Sequence, residues 1–275
     1  MELQQIMSRP AVAAEPESSL DDLIQMMEAT RVRHLPVVAQ DRFLGLVTDR
    51  ALLEATGWLP ERVRETFEDI ARRPRLASDL LVSPIMIARP TDDVMTLTVE
   101  SVVQGTGCLP ILSGHELIGV VTEEDLMRAF RNGCRPRDFG QEVDTTVDRL
   151  MTRSVRAVDV RGTLGDVVDI LADTSFRHLP VVQAGHLVGM ISDRDIRREL
   201  GRCRRGDYPV SEMMTPDPFT VRPRTPLSEA VQVMIDERID SLPVTLCDEL
   251  VGILTCRDVL DYCMNHLITP GLELG

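Results

Sequence analysis

The chain has 275 residues, 43% hydrophobic and 27% charged, a globular composition that excludes disorder as the main state. With 44 acids against 30 bases the net charge is -14, and every base is Arg, which argues against the phosphate-steered binding of most nucleic-acid proteins. The longest apolar runs, such as 117–121, fall far short of the roughly 18 residues needed to cross a bilayer, so no membrane insertion is expected.

The N-terminus, MELQQIMSRP, has no basic stretch followed by an apolar one, so no signal peptide is expected and the predicted location is cytoplasmic. Cys108, Cys134, Cys203, Cys247, Cys256 and Cys263 form no C-x-x-C pair and read as reduced thiols. The five histidines do not accompany them at ligand spacing, so no metal is expected. Aromatics make only 3%, with Trp58 the sole tryptophan, so the core must be aliphatic and Met-rich.

In chain order, one pattern returns four times. His34-Leu35-Pro36-Val37-Val38 recurs as Cys108-Leu109-Pro110-Ile111-Leu112, His178-Leu179-Pro180-Val181-Val182 and Ser241-Leu242-Pro243-Val244-Thr245. Nine residues after each Pro stands Gly45, Gly119, Gly189 or Gly252, and 29 residues before it Met7, Leu81, Met151 or Met214. Four blocks, 7–51, 81–125, 151–195 and 214–258, therefore align without a gap.

Each block opens with a short extended piece, at Val12-Ala13, Ile87-Ala88, Ala157-Val158 and Thr220-Val221. A helix start follows: Ser18-Ser19-Leu20-Asp21-Asp22 and Thr163-Leu164-Gly165-Asp166 read as capping boxes, and Thr225-Pro226 as an N-cap with Pro at the first helical position. Apolar residues then fall at helical spacing, as Leu20, Leu23, Ile24, Met27, as Leu164, Val167, Val168, Leu171 and as Leu227, Ala230, Val231, Met234. Block two breaks the pattern with Val94, Leu97, Thr98 and Ser101, which predicts a poorer or shifted helix. Two short β runs and a second helix complete the unit.

The predicted class is α+β, four β-α-β-β-α units over 1–56, 76–133, 146–203 and 208–268. One unit leaves an apolar sheet face that only a second unit can cover. The connector 52–80 carries Trp58, Pro60 and a helix-prone stretch at 61–73, and a polar connector runs from 126 to 150. The main boundary is placed near 136–144, which groups the units into halves of 1–135 and 140–268.

Three features carry a family resemblance. They are Met-Thr at the unit start (Met151-Thr152, Met214-Thr215, weaker in Met7-Ser8), the apolar-Pro-Val strand, and a Gly-apolar-apolar-Ser/Thr-x-x-Asp run, as in Gly189 to Asp195. The units resemble the cystathionine-β-synthase-type, or CBS, domain, and four in tandem resemble two Bateman modules, each a pseudo-twofold pair. The resemblance implies a regulatory protein that binds AMP, ADP or ATP between repeats, S-adenosylmethionine being less favoured. It implies no prosthetic group, a homodimer, and a protein target reached in trans. The alternative is an interaction scaffold with degenerate clefts.

The candidate site residues follow. A hydroxyl and a carboxylate three residues apart, where a strand enters a helix, can face one cleft, and a carboxylate suits the two ribose hydroxyls. These pairs are Thr122/Asp125, Ser192/Asp195 and Thr255/Asp258; in block one Thr48 is followed by Ala51 where Asp belongs. The competing reading is that such residues only cap the second helix. Arg33-His34 and Arg177-His178 are positively charged or chargeable, whereas Gly107-Cys108 and Asp240-Ser241 are not, and the resemblance implies that basic residues at this strand position reach phosphates. Asp195 and Asp258 are expected to hold ribose and the backbone near Ala157 and Thr220 to read adenine, with module two the principal sensor. Arg194, Arg197, Arg198, Arg202, Arg204 and Arg205 form a basic run, read as a solvated face or an anion patch. Among common catalytic motifs none is found, so no enzymatic activity is expected.

Overall fold

The structure, a computed structural model, describes residues 1–9, 12–55, 75–82, 85–94, 107–131, 145–172, 177–200 and 207–267. The stretch 61–73, the boundary at 136–144, Leu97, Thr98 and Ser101 lie outside the described residues, as do Arg202, Arg204 and Arg205.

Each unit is built on an antiparallel hairpin. The hairpins are β1 (His34–Ala39) with β2 (Arg42–Thr48), β3 (Cys108–Ser113) with β4 (Glu116–Thr122), β6 (His178–Gln183) with β7 (His186–Ser192), and β9 (Ser241–Leu246) with β10 (Glu249–Thr255). The turn residues Gln40-Asp41, Ala184-Gly185 and Cys247-Asp248 all have positive φ, the backbone that lets a two-residue loop follow the right-handed twist of its strands. A short piece runs parallel to the first strand of each hairpin: Ala14 beside Val37, Ala88 beside Ile111, β5 (Val158–Asp159) beside β6, and Val221 beside Val244. In unit one this is one residue later than the predicted Val12-Ala13, at the position the repeat register assigns.

The first helices bury their apolar stripes. Leu20–Thr30 buries Leu23 and Met27, Leu164–Ala172 buries Leu164, Val167, Val168 and Leu171, and Leu227–Glu237 buries Leu227, Ala230 and Met234. Ser19/Asp22 and Thr163/Asp166 form the expected capping boxes. Thr225-Pro226 does not act as predicted. Pro226 is extended at ψ 137 and is itself the cap residue, so the helix starts at Leu227. Leu227 N–H donates instead to the carbonyl of Thr145, on another unit.

That donor marks how the units pair: each lends its opening segment to its partner. Residues 1–8 lie along unit two, where Leu3 N–H bonds Asp92 and Ser8 bridges Val120. Residues 75–82 lie along unit one, with Ala77 on Ser18 and Val82 on Leu46. In the second half 145–152 runs along unit four, and β8 (Thr215–Pro216) pairs with β7 of unit three. Thus units one and two form one pair and units three and four another.

The seat is a glycine. The sulfurs of Met7, Met214 and Met151 lie 2.8, 2.6 and 2.6 Å from where a Cβ would stand on Gly119, Gly189 and Gly252, and Leu81 lies 3.0 Å from that of Gly45. The pairs close on each other through their second helices. Asp49–Ala55 of unit one packs on Asp193–Leu200 of unit three, and Glu123–Arg131 of unit two on Cys256–Leu267 of unit four. The latter seam is apolar, with Leu126, Met127 and Ala129 in one core with Val259, Leu260 and Cys263. The former places Leu53, among the described residues, into the core of unit three. Among the described residues no helix is long and apolar enough to cross a membrane.

The glycine seat yields a test. Gly252→Val should cost about 1–3 kcal/mol by overpacking, and Met151→Ala about 2–5 kcal/mol by leaving a cavity. Because the new methyls fill the space the thioether leaves, urea unfolding should find the double variant less destabilised than the two single costs together.

Candidate functional site

In units one, three and four the residue before the hairpin is tied to the first residue of the same unit's second helix. The carbonyls of Arg33, Arg177 and Asp240 accept from the N–H groups of Asp49, Asp193 and Cys256 at 3.1, 3.1 and 2.8 Å. Strand starts and helix starts from all four units therefore meet at the centre of the molecule. There Arg33 of unit one forms an ion pair with Asp240 of unit four. The Arg177 guanidinium of unit three lies over Gly107 of unit two, 3.2 Å from where a Cβ would stand, with His34 alongside at 3.4 Å. Gly107 has φ +65, so a side chain there would be both strained and in the way of Arg177.

A cavity of about 880 Å³ opens on this centre. Unit four contributes Thr255, Asp258, Ile253 and Asp240, and the segment it borrows contributes Thr152, Ser154, Val155 and Arg156. Unit one contributes Arg33, His34, Thr48, Asp49, Arg50, Ala51 and Glu54, with Val82 and Ile85 from its borrowed segment. Arg177, His178 and Asp193 enter from unit three and Glu123 from unit two. The structure thus brings Arg33, His34, Thr48, Arg177, His178, Thr255 and Asp258 of the predicted residues to one cavity. Thr122, Asp125, Ser192, Asp195, Ala157 and Thr220 do not line it.

The hydroxyl–carboxylate pairs share one geometry. Asp125 Oδ2 accepts from the N–H and hydroxyl of Thr122 at 2.9 and 2.7 Å, Asp195 Oδ2 from those of Ser192 at 2.9 and 2.7 Å, and Asp258 Oδ2 from those of Thr255 at 2.7 and 2.6 Å. This is helix capping, and it uses one carboxylate oxygen. What the other oxygen meets differs between units. Asp125 Oδ1 accepts from the Ser8 hydroxyl at 3.1 Å, on the segment borrowed from unit one. Asp195 is buried at 7% exposure. Asp258 is half-buried and faces the cavity. In unit one Thr48 caps alone, its hydroxyl accepting from Ala51 N–H at 3.2 Å.

The exchange of segments also decides what stands opposite each carboxylate. Residues 152–156 face Asp258 before the chain crosses at Ala157 to its own sheet, and 215–216 run beside the strand leading to Asp195. Thr220 is exposed.

Charge is concentrated at the centre. Burial, then the neighbouring Arg33, Arg177 and Arg194, push His178 from 6.5 down to about 3, so the imidazole is neutral at pH 7. Burial raises the Asp193 carboxyl from 3.8 to about 6 against the pull of Arg177, Arg33 and Arg50. Burial, then Arg177 and Arg194, hold the Arg33 guanidinium below its ordinary value, with Glu123 and Asp193 countering. Arg194 lies close enough to act on this centre, and its Nη2 donates to the Arg31 carbonyl at 3.4 Å, at the end of unit one's first helix. Burial pushes the thiols of Cys108, Cys256 and Cys263 up to about 12, so they stay protonated and poorly nucleophilic. Among the described residues no His, Cys, Asp and Glu cluster is arranged to hold a metal.

Sequence reading missed Glu123, Asp193 and Asp240. The signal for Asp240 was present, since it stands in the repeat where Arg33 and Arg177 stand, but its partner lies in another unit.

The CBS domain matches the chain four times, over residues 3–57, 77–132, 147–202 and 210–265. The chain belongs to the CBS domain family. The uncharacterized protein MJ1225 of Methanocaldococcus jannaschii is 24% identical to this CBS protein over 279 residues, 93% of this chain and 96% of that one. Its crystal structure matches with a TM-score of 0.81 at 23% identity, covering 95% of this chain and 99% of that one, so the two share the four-unit fold. The CBS domain-containing protein YhcV of Bacillus subtilis is 33% identical over 123 residues, 44% of this chain and 88% of YhcV. The inosine-5′-monophosphate dehydrogenase of Korarchaeum cryptofilum is 28% identical over 179 residues, 61% of this chain but only 36% of the enzyme.

The opposed titrations of His178 and Asp193 can be separated. The unfolded chain holds more protons on His178 between about 3 and 6.5, so that group loses stability as pH falls through this window. The folded chain holds more protons on Asp193 between 3.8 and about 6, so that group gains stability as pH falls through it. From pH 7 to 5.5 each is worth about 1 kcal/mol, and they oppose each other. Over that range, urea midpoints should show His178→Gln gaining stability and Asp193→Asn losing it, relative to the parent.

Proposed function

We propose that this CBS protein is a regulatory sensor that binds an adenine nucleotide in the central cavity and signals to another protein in trans. The observation that carries the reading is the meeting, in one cavity, of the Thr255/Asp258 carboxylate site with Arg33, His34, Arg177 and His178. Asp258 keeps an oxygen toward the cavity for the ribose hydroxyls, and the borrowed backbone at 154–156 offers N–H and C=O groups to the adenine edge. The arginines meet the phosphate, with forked donors suited to its oxygens. They also disfavour a cationic ligand, which ranks S-adenosylmethionine below AMP, ADP and ATP. The related MJ1225 has been put forward as an archaeal homolog of g-AMPK.

The scaffold reading applies to the first pair. Unit one lacks the carboxylate at Ala51, and the carboxylate of unit two is bonded by Ser8. The sensor therefore resides on the unit-four side of the cavity, in the second half of the chain.

Thermal shift with AMP, ADP, ATP and S-adenosylmethionine tests the binding, since a ligand at 100 times its Kd stabilises by about 2.7 kcal/mol. Calorimetric titration should find Asp258→Ala weakened about ten- to a hundredfold, the loss of a charged hydrogen bond, with Asp125→Ala unchanged. Equal affinities in both variants would refute the assignment of the site.

A further inference from the structure

The Arg33–Asp240 ion pair crosses the cavity from unit one to unit four, and both side chains are mostly enclosed, at 21% and 23% exposure. In the repeat register Asp240 stands where units one and three carry Arg. The two arginines are thereby made unequal. Arg177 rests on Gly107 and has no ion-pair partner among the described residues, whereas Arg33 is held by a carboxylate of its own chain. A ligand anion can engage Arg177 directly, but can engage Arg33 only against the charge of Asp240, beside it or in its place.

We propose that Asp240 is a specificity-determining residue, an internal counter-ion that competes with the ligand's phosphate for Arg33. The proposal rests on the nucleotide reading above. Two anionic groups on one mostly enclosed guanidinium repel each other, since like charges a few ångströms apart in a partly dry site are only weakly screened. Each phosphate that reaches Arg33 therefore meets a penalty that the adenosine part does not. Displacement also breaks the cross-link between units one and four, so the same exchange couples an anionic ligand to how the two halves hold each other.

The test is calorimetric titration of adenosine, AMP and ATP into the full chain and into Asp240→Asn. Removing the carboxylate's charge should raise the affinity for AMP or ATP about tenfold, while adenosine stays within about twofold. The double variant Arg33→Gln/Asp240→Asn, which removes both charges together and so leaves neither unpaired, should lose that gain. Asp240→Ser serves as a second neutral variant if Asp240→Asn folds poorly. An unchanged ratio of phosphorylated to unphosphorylated affinities in the neutral variants would overturn the proposal while leaving the nucleotide reading intact. If no adenine ligand binds either protein, the nucleotide reading fails, and inorganic pyrophosphate decides the rest by thermal shift. Greater stabilisation of Asp240→Asn than of the parent would uphold the competition, and equal stabilisation would end it.

Discussion

A thioether laid on a bare glycine is the contact on which the rest of this structure depends. Met7 on Gly119, Met151 on Gly252 and Met214 on Gly189 each fill the space a side chain would occupy, and Leu81 does the same less closely on Gly45. Each contact joins the opening of one unit to the hairpin of the other. The same segments carry backbone donors and acceptors to the start of the partner's first helix, as Thr145 does for Leu227. A unit alone would leave both its glycine notch and its helix start without partners, so pairing is part of folding. It follows that the wall opposite each Ser/Thr–Asp pair comes from a second unit, and any cleft there is an inter-unit site by construction.

The second constraint lies at the centre. Three strand-start carbonyls bind helix-start N–H groups, which locks Arg33, Arg177 and Asp240 beside Asp49, Asp193 and Cys256. An acidic chain thereby gathers arginines into one enclosed place, where burial and their repulsion hold His178 neutral, while burial raises the Asp193 carboxyl to about 6 against their pull. The two seams between halves differ in kind. Units two and four share an apolar core, while at the seam of units one and three the described residues place Leu53 in the core of unit three.

Much of this was legible in the chain. The unit order, the hairpins and the capping boxes at Ser19 and Thr163 follow from local rules, since each depends on residues within a few positions of one another. Local reading failed where a neighbour in space replaced a neighbour in sequence: Pro226 lost its place inside the helix because Thr145 of another unit supplied the first acceptor. The contact of Arg194 with the end of a helix in unit one was likewise invisible to local reading.

The sequence by itself determined the repeat, its register, and which residue types stand at the strand starts and helix starts, because backbone geometry demands the same Pro, Gly and hydroxyl at the same spacing each time. Tertiary structure alone decided which unit's methionine sits on which glycine. It also decided that Ser8 binds Asp125 while Asp258 turns to the cavity, and that Arg33 meets Asp240 while Arg177 meets a glycine. The physical reason is the repeat itself. Four units alike in local pattern offer near-equivalent partners, and only packing volume and charge, settled when all four close together, choose among them.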